Sequence, residues 1–476
     1  MKLKILICIS VLFICFESAN AQSITWENTY INSNSPFRNG INALCKSDSG
    51  NFFLAGYTLI PSNISYYKIW VLKINSYGDT IWTKTYGRNG SQATTVVSNS
   101  DGGCTISGRT GEAFTIRIDK DGNVLWEKYY GGYAVQIYKI IQTYDKSYLA
   151  CGTINLQDGY LFKVDSLGNF LWDKTYLNNH IIEFNDIIEK NGFYYITGTL
   201  RETFQDTSAA IFKKLDVSGN ELLNKRIKIQ NKITHAKKVL IENDKFILAG
   251  SLLNSSLTNE ILFFNKIDSN GVSEYEKVYT SNYSEYFSDM NILSKNRYIL
   301  VSSLDTSDYL FGKIIIADSI GNIIKYRIFP TSSFIVFESL LTLLNEDIVI
   351  AGSADFNISE YDQVGYVVRT DSNLFIKNVG INSNSIILPE KLKLYQNYPN
   401  PFNPVTKITF NIPVSGNISI RVYDITGKVI KTLVNEFRNA GTYYTEFNGA
   451  DVSSGVYYYK METGNFSEIK KMILLK

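Results

Sequence analysis

Hydrophobic and polar residues alternate along most of the chain in short runs that end at Gly, Asn, Asp or Ser. Residues 193–197 (Phe-Tyr-Tyr-Ile-Thr) and 245–249 (Lys-Phe-Ile-Leu-Ala) are such runs, and each stops at a glycine. Short runs rich in aromatic and β-branched residues, bounded by turn residues, are typical of β-strands. An Asp-x-x-Gly step separates many of them and suits a hairpin turn, since Asp accepts backbone hydrogen bonds and Gly tolerates positive φ. The pattern predicts an all-β chain.

The alternating runs repeat along the chain. Residues 151–176 show the repeating frame: Gly152 follows one apolar strand, Asp165 ends the next, Gly168 closes the turn, and Trp172 leads into Lys-Thr-Tyr. The small residue that follows the first apolar strand recurs at Gly56, Gly108, Gly152, Gly198, Gly250, Ser303 and Gly352. The spacing of about 44 to 53 residues is typical of solenoids and propellers. Seven units of about four strands predict a seven-bladed β-propeller over residues 22–380, with six or eight blades as alternatives because the last units are weak.

Residues 26–30 (Trp-Glu-Asn-Thr-Tyr) match only the end of the repeating frame. We expect this segment to complete the last sheet of the ring, because such closure removes two exposed sheet edges. The aromatic position of the frame, occupied by Trp82, Trp126 and Trp172, is interpreted as packing between neighbouring blades. A ligand cage is the alternative. If the packing interpretation holds, truncation of one of these residues to Ala costs roughly 3–5 kcal/mol.

The repeat frame stops before residue 381, and residues 381–390, which include the Asn/Ser-rich run 382–385, are interpreted as a linker. Residues 391–476 form a second predicted domain. Its alternating runs at 407–412 and 417–423, together with several turn signals, predict a small Ig-like β-sandwich.

The first residues have the order of a secretory signal peptide. Lys2 and Lys4 precede an apolar run over residues 5–16, and a small-residue site follows. We expect residues 1–21 to be removed by cleavage between Ala21 and Gln22. Lipoprotein processing is disfavoured, because Ile14 stands where that site needs a small residue. The mature chain is expected to have no transmembrane span, because no later stretch reaches about 18 apolar residues.

Composition excludes several classes of function. Lys and Arg number 47 against 45 Asp and Glu, so no global positive field favours nucleic acid. The odd set Cys45, Cys104 and Cys151 remains after signal cleavage, and we interpret these residues as core positions rather than a disulfide framework.

Candidate chemistry is sparse. The two histidines, His180 and His235, fit no metal spacing and no nucleophile elbow. Residues 119–123 resemble the start of a calcium loop, but Tyr130 stands where the loop needs Glu, so a hairpin turn is favoured. We therefore predict no catalytic residue, no metal ligand and no cofactor. Carboxylates from different blades would leave no linear trace, and the loop acids Asp206, Asp305 and Asp355 are the weak candidates for glycoside hydrolysis.

The last domain closely resembles the type A C-terminal sorting domain of the type IX secretion system. The resemblance covers residues 392–476 and rests on Tyr-Pro-Asn-Pro-Phe-Asn-Pro at 398–404, Val-Tyr-Asp-Ile-Thr-Gly-Lys at 422–428, and the end at 470–476. It implies export through the periplasm, recognition by an outer-membrane translocon, cleavage by a sortase-like peptidase, and release or attachment at the cell surface. The motif residues are Pro399, Asn400, Pro401, Phe402, Tyr423, Asp424, Gly427, Gly441, Gly455, Tyr457, Lys470 and Lys471.

The repeats resemble those of secreted bacterial β-propellers, best at residues 100–104 and 126–132. Such a resemblance constrains fold more than function. The leading hypothesis is a secreted or cell-surface non-enzymatic binding or adhesion protein, with a propeller face for a glycan or protein ligand. The alternative is a secreted hydrolase or lyase acting on polysaccharide, and an adhesion scaffold without a ligand site is a third possibility. An enzyme should have a deep acid-lined pocket, and a binder a shallow aromatic or polar face.

Overall fold

The computed structural model describes residues 24–32, 38–47, 50–62, 65–132, 134–177, 180–201, 208–230, 232–253, 259–294, 296–306, 309–329, 334–355, 363–376, 392–412, 416–438, 441–464 and 466–476. The predicted signal peptide (1–21), its cleavage site at Ala21 and Gln22, the linker (381–390) and Asp206 lie outside these residues. Every regular element within them is a β-strand. None of them forms a helix that is long and apolar enough to cross a membrane.

Twenty-eight strands lie in the repeat region. The segment before the first unit is β1 Trp26–Tyr30. Units one to three comprise β2 Asn39–Lys46, β3 Phe52–Ile60, β4 Tyr66–Ile74, β5 Thr80–Tyr86; β6 Gln92–Ser98, β7 Cys104–Arg109, β8 Ala113–Ile118, β9 Val124–Tyr130; and β10 Val135–Gln142, β11 Tyr148–Ile154, β12 Asp158–Val164, β13 Phe170–Tyr176. Units four and five comprise β14 Ile181–Lys190, β15 Phe193–Arg201, β16 Ala209–Leu215, β17 Glu221–Ile227; and β18 Thr234–Glu242, β19 Lys245–Leu253, β20 Glu260–Ile267, β21 Ser273–Tyr279. Units six and seven comprise β22 Ser284–Ser294, β23 Arg297–Asp305, β24 Leu310–Asp318, β25 Ile323–Phe329; and β26 Phe334–Thr342, β27 Ile348–Asp355, β28 Val364–Thr370.

Consecutive strands of one unit pair antiparallel. Units one to five each form a separate four-stranded sheet, and the strands of units six and seven belong to one eight-stranded sheet. Among the described residues, the strand pairing that joins the two units in that sheet is a single parallel pair between Leu310 and Phe334. Each unit therefore keeps the simple up-and-down order of a hairpin repeat.

The first strands of the units face one another around a common axis. Strands β2, β6, β10, β14, β18, β22 and β26 each contact the first strands of the two neighbouring units, and β26 contacts β2. The sheets are therefore arranged radially, as in a β-propeller, with their first strands around a central channel.

The ring is closed by the N-terminal segment. β1 pairs antiparallel with β28, in a register that places Trp26 opposite Arg369 and Tyr30 opposite Gly365. A buried apolar cluster joins β1 and units one and seven, and it includes Trp26, Trp70 and Val367. The predicted closure by residues 26–30 is confirmed.

The recurring small residue faces a β-bulge of the first strand. Gly152 pairs with Ile137, and the register then shifts between Ile137 and Lys139. A β carbon at Gly152 would lie 1.8 Å from the carbonyl oxygen of Gln136, which is an impossible contact. The same clash, at 1.8 to 2.1 Å from a first-strand carbonyl oxygen, recurs at Gly56, Gly108, Gly198, Gly250 and Gly352. The glycine is therefore required by the bulge opposite it.

One position of the predicted frame is wrong by one residue. In unit six the register shifts between Phe287 and Asp289, and Phe287 pairs with Ser302. The residue opposite the bulge is therefore Ser302, whereas Ser303 pairs with Tyr286. Two adjacent serines made the sequence alignment ambiguous at this point.

The C-terminal residues form seven further strands: β29 Lys393–Leu394, β30 Val405–Ile412, β31 Gly416–Tyr423, β32 Val429–Arg438, β33 Gly441–Asn448, β34 Gly455–Thr463 and β35 Phe466–Leu474. They form one sheet in the order β29-β30-β33 and another in the order β32-β31-β34-β35. A single buried cluster draws on both sheets and includes Phe410, Ile420 and Tyr459.

Candidate functional site

Two ends of the ring can be distinguished from the strand order. In every unit the hairpins between strands one and two, and between strands three and four, lie at one end, which we call the turn face. The hairpins between strands two and three and the connections between units lie at the opposite end, which we call the loop face. The Asp-x-x-Gly turns of the repeat thus all lie on the turn face.

The predicted packing residues Trp82, Trp126 and Trp172 lie between neighbouring units on the turn face. The Trp126 Nε1 atom donates to the carbonyl oxygen of Ser166 at 3.1 Å, in the turn of the next unit. A β carbon at Gly168 would lie 2.8 Å from the indole. Trp82 Nε1 likewise donates to Lys120 O at 3.3 Å, and Trp172 lies against Gly219 of the next unit. The Trp of one unit thus covers the turn glycine of the following unit.

A tyrosine at the end of the same strand repeats this contact. Tyr130 donates to the Gly168 carbonyl oxygen at 2.9 Å, and matching bonds are Tyr86 to Gly122 at 2.7 Å and Tyr176 to Gly219 at 2.6 Å. Across the closure, Trp26 Nε1 donates to Ser76 O at 2.9 Å and Tyr30 donates to Gly78 O at 2.7 Å. The Trp-x-Lys-x-Tyr segment is therefore an inter-unit contact in the described units where it occurs.

The turn carboxylates are occupied by the turn itself. Asp165 Oδ1 accepts hydrogen bonds from the amides of Leu167 and Asn169, at 2.8 Å each. Hydrogen bonds from the Asn169 side chain and backbone lower the pKa of Asp165. Asp119, in the segment that resembles a calcium loop, accepts from Asp121 and Asn123 in the same manner. In the described residues, no group of three or more His, Cys, Asp or Glu side chains is placed to hold a metal ion.

The bulge residues of the first strands make contacts inside the ring. Each adds one unpaired residue to a first strand, and four of these residues bond the first strand of the next unit: Asn42 Nδ2 to Ala93 O at 2.7 Å, Thr94 Oγ1 to Ile137 O at 2.5 Å, Asn185 Nδ2 to Ala236 O at 2.8 Å, and Lys237 Nζ to Phe287 O at 3.1 Å. Tyr138 and Glu338 are the bulge residues of units three and seven. The Tyr138 hydroxyl instead donates to Gln136 Oε1, at 3.0 Å.

Aromatic and charged side chains gather at the loop-face end of the first two strands of each unit. We call this group the channel mouth, and its members are Tyr57, Gln92, Arg109, Gln136, Tyr138, Glu183, Arg201, His235, Lys237, Tyr286 and Glu338. These positions differ in residue type from unit to unit, unlike the turns and the Trp contacts.

One side of the channel mouth is rich in cations. Arg201 forms an ion pair with Glu183, with 3.1 Å between guanidinium nitrogen and carboxylate oxygen, and Arg109 donates to the neutral Gln92 at 3.4 Å. Burial, with the nearby Glu183 charge, raises the pKa of Tyr138, while the charges of Arg109 and Arg201 oppose this shift. Tyr138 lies on β10, which contacts β7 of unit two and β14 of unit four, so its unit stands between those of the two arginines. Burial and the Arg201 charge lower the pKa of His235.

The other side of the channel mouth is acidic and aromatic. The Glu338 side chain is exposed but lies among the walls of the channel. Its partial removal from bulk water raises the pKa of its carboxyl to about 7, while the Lys237 charge acts to lower that pKa. Tyr57 packs edge-on against Tyr67, with 5.4 Å between ring centroids. Tyr286 donates to Asp305 at 3.4 Å.

Asp305 and Asp355, the described acids among those singled out from the sequence, lie on separate strands of the sheet. Asp305 ends β23 and Asp355 ends β27, and the row of paired residues between them runs through Leu310 and Phe334. Their backbones are thus three strand positions apart, about 14 Å. His180 precedes β14, whereas His235 lies in the channel mouth.

The three cysteines that the structure describes are free and buried, as predicted. Burial raises the pKa of the Cys45 thiol to about 12, so this residue carries little thiolate at neutral pH. The channel mouth was missed from sequence because its residues sit at bulges and strand ends. A charged or aromatic residue that interrupts the alternation of a first strand, as Lys237 and Glu338 do, was the available signal.

The C-terminal motif residues join the two ends of their domain. Pro399 and Pro401 follow cis peptide bonds, and Asn400 Oδ1 accepts from the amide of Ile473 at 2.9 Å. Phe402 pairs with Leu474, and its ring lies in the core. Asp424 and Gly427 form a turn. Gly441 begins β33 and Gly455 begins β34. The Tyr457 hydroxyl donates to Ser453 O at 2.7 Å. Tyr423 ends β31, and Lys470 and Lys471 lie in β35.

Residues 396–475 match the family model described as "Secretion system C-terminal sorting domain". This type IX sorting domain indicates that the chain is exported and is either secreted or attached to the outer-membrane surface, and it implies interaction with the type IX secretion system. No curated protein matches the chain significantly.

Solved structures similar to the chain are β-propeller proteins of low sequence identity. PorZ, a surface component of the type IX secretion system of Porphyromonas gingivalis, is 13% identical over 94% of this chain and 60% of its own, with a TM-score of 0.44. The chain thus spans about 60% of the length of PorZ. YCF48 bound to D1 peptide is 10% identical over 74% of this chain and 96% of its own, with a TM-score of 0.45. The β-propeller domain of the Trilobed protease from Pyrococcus furiosus is 9% identical over 72% of this chain and 100% of its own, with a TM-score of 0.42.

Proposed function

We propose that this exported chain, whose residues 396–475 are a type IX sorting domain, is a non-enzymatic binding or adhesion protein that uses the channel mouth as its ligand surface. The observation that carries the proposal is the chemistry of the mouth. Tyr57 and Tyr138 donate there to the amide oxygens of Gln363 and Gln136, and Tyr286 donates to the Asp305 carboxylate. The other repeated contacts hold units together. Aromatic faces with directed polar groups are suited to glycan or protein ligands.

We also propose the finer architecture that frames this surface. The cyclic contacts of seven first strands support a seven-bladed ring with units six and seven as separate blades, since among the described residues a single pair joins them in a common sheet. The two sheets around one core support an Ig-like sandwich over residues 391–476. In this proposal residues 1–21 are a signal peptide, 22–380 the propeller and 381–390 a linker.

The ligand proposal is tested with the purified mature chain on a panel of polysaccharides and surface proteins. Tyr57→Ala and Tyr138→Ala should each weaken binding of any ligand found by about tenfold or more, because each removes a ring from the mouth. Tyr144→Ala is the matched control, since Tyr144 is exposed on the turn face of unit three. Binding that is unchanged in both mouth variants would contradict the proposal.

A hydrolase or lyase acting on polysaccharide is the second candidate function. The observation in its favour is Glu338, whose pKa of about 7 suits a general acid or base near neutral pH. Turnover of any polysaccharide by the wild-type chain, abolished in Glu338→Gln, would establish the enzyme and displace the binding proposal.

Export has a separate test. We propose that an outer-membrane translocon and a sortase-like peptidase act on residues 392–476, and that deletion of these residues leaves the protein in the periplasm. Fractionation of cells that express the full-length and the truncated chain measures this directly. Continued appearance of the truncated chain outside the cell would overturn the role assigned to the domain.

A further inference from the structure

The cation-rich side of the channel mouth spans three neighbouring units. Arg109 belongs to unit two, Tyr138 to unit three and Arg201 to unit four. Tyr138 lies on β10, which contacts both β7 of unit two, where Arg109 stands, and β14 of unit four, whose Glu183 pairs with Arg201. His235 and Lys237 lie on β18 of unit five, which contacts β14, so they extend this side.

The two arginines differ in the charge of their hydrogen-bond partners, and this difference affects the binding of an anion. Glu183 partly neutralises Arg201, whereas Arg109 donates to a neutral amide. Glu260, whose charge acts to raise the pKa of His235, accepts from Ser251 at 2.7 Å. The acids Asp305 and Glu338 lie across the mouth, on units six and seven. Among the residues that define the channel mouth, units two to four therefore carry two guanidinium groups, Arg109 and Arg201, against one carboxylate, Glu183, beside an aromatic ring.

This arrangement matches one class of ligand. A guanidinium group binds a carboxylate through two parallel hydrogen bonds, a tyrosine ring packs against the apolar face of a sugar, and the Gln92 and Gln136 amides both donate and accept hydrogen bonds as hydroxyl groups require. Neighbouring sheets pack about 10 Å apart, so groups on units two to four fit an extended chain better than a single sugar.

We propose that the channel mouth binds an acidic polysaccharide, with uronic acid carboxylates on Arg109 and Arg201 and a sugar ring against Tyr138. This inference rests on the proposed binding function and gives it a ligand class. An acidic peptide offers the same charge, but it does not use the aromatic ring and the paired amides together. Tight binding of an acidic peptide is therefore an outcome that the test distinguishes.

Polygalacturonate, its fully methyl-esterified form and poly-glutamate are the three probes, titrated by calorimetry into the chain of residues 22–476, which retains the C-terminal domain. We expect polygalacturonate to bind at least tenfold more tightly than the neutral ester, and its affinity to fall as salt is raised, because exposed charges are screened. Arg109→Gln and Arg201→Gln should each lower the affinity about tenfold. Arg421→Gln in the C-terminal domain, a partly exposed arginine, is the control and should leave it unchanged.

Equal affinity for polygalacturonate and its ester would overturn the acidic-ligand inference and leave the binding function standing. Poly-glutamate binding as tight as polygalacturonate would overturn the sugar assignment. Failure of polygalacturonate to bind also overturns the inference, while failure of every ligand on the wider panel overturns the binding function itself. Circular dichroism of each variant, matched to wild type, separates lost contacts from lost folding.

Discussion

The turn face and the channel mouth are built from the same strands but use them differently. On the turn face, Trp82, Trp126 and Trp26 make the same hydrogen bond to the next unit, including across the closure of the ring. At the channel mouth, the equivalent position of the first strand carries Gln92, Glu183 and His235 in different units. Repetition therefore accompanies contacts that hold the units together. Specific chemistry is found where the repeats diverge.

The largest effect we expect comes from the glycine opposite the bulge. Gly152→Ala places a β carbon 1.8 Å from a backbone carbonyl oxygen that cannot move away freely. We expect a loss of about 3 kcal/mol in the free energy of unfolding, within the range of strained backbone substitutions. Urea denaturation measures it.

Gly416→Ala is the control for this substitution. A β carbon there meets only Thr463 Oγ1, at 3.5 Å, so the change should be close to neutral. Ser302 shows that unit six accommodates a β carbon at the equivalent place, with a second irregularity in the same strand pair. If Gly152→Ala is as stable as Gly416→Ala, the bulge does not require glycine.

A slightly smaller effect is expected on the turn face. Trp126→Ala removes a ring that covers Gly168 and a hydrogen bond to Ser166. Because the indole is only partly buried, we expect about 2–3 kcal/mol, at or below the low end of values for buried Trp. The adjacent Leu125 is 52% exposed, and Leu125→Ala should change stability by less than about 0.5 kcal/mol. Equal melting temperatures for the two variants would contradict the inter-unit role of the Trp.

Much of this fold could be read from the sequence, because turns and packing recur at a fixed spacing. Gly168, Asp165 and Trp172 each repeat in several units, so the strands and the ring closure by residues 26–30 were predictable. The residues that these side chains contact could not be predicted. Trp172 and Gly168 lie four residues apart in one repeat, yet Trp172 contacts Gly219 of the next unit, and a linear repeat does not reveal which neighbour a side chain covers.

The channel mouth was unpredictable for a related reason. Tyr138 and Glu338 occupy bulges, and a bulge shifts the alternation of a strand by one residue. Asp305 and Asp355 were identified only as acids in loops after the recurring small residue, and the sheet holds them three strands apart. Side chains that meet around an axis come from distant parts of the chain and share no spacing.

The pH dependence of stability tests the Glu338 carboxyl of the channel mouth. Because the folded state raises the pKa of Glu338 from 4.5 to about 7, it binds more protons than the unfolded chain between these values. Stability should therefore fall as pH rises from about 4.5 to 7. Glu338→Gln should remove this part of the pH dependence, whereas Glu112→Gln, on an exposed ion pair with Arg88, should retain it. Melting temperatures at pH 5 and pH 7 measure the difference, and identical slopes in all three proteins would show that Glu338 titrates normally.

The smallest effect on stability should come from the mouth itself. Arg109 is exposed, and its hydrogen bond to Gln92 is long at 3.4 Å. Exposed polar contacts of this kind contribute little to folding, so Arg109→Gln should change the unfolding free energy by less than about 0.5 kcal/mol. The same substitution should weaken binding of an acidic polysaccharide about tenfold, since the lost charge faces the ligand rather than the core. If Arg109→Gln loses stability in proportion to its loss of binding, Arg109 is a structural residue like those of the turn face. The distinction between the two regions would then not hold at this position.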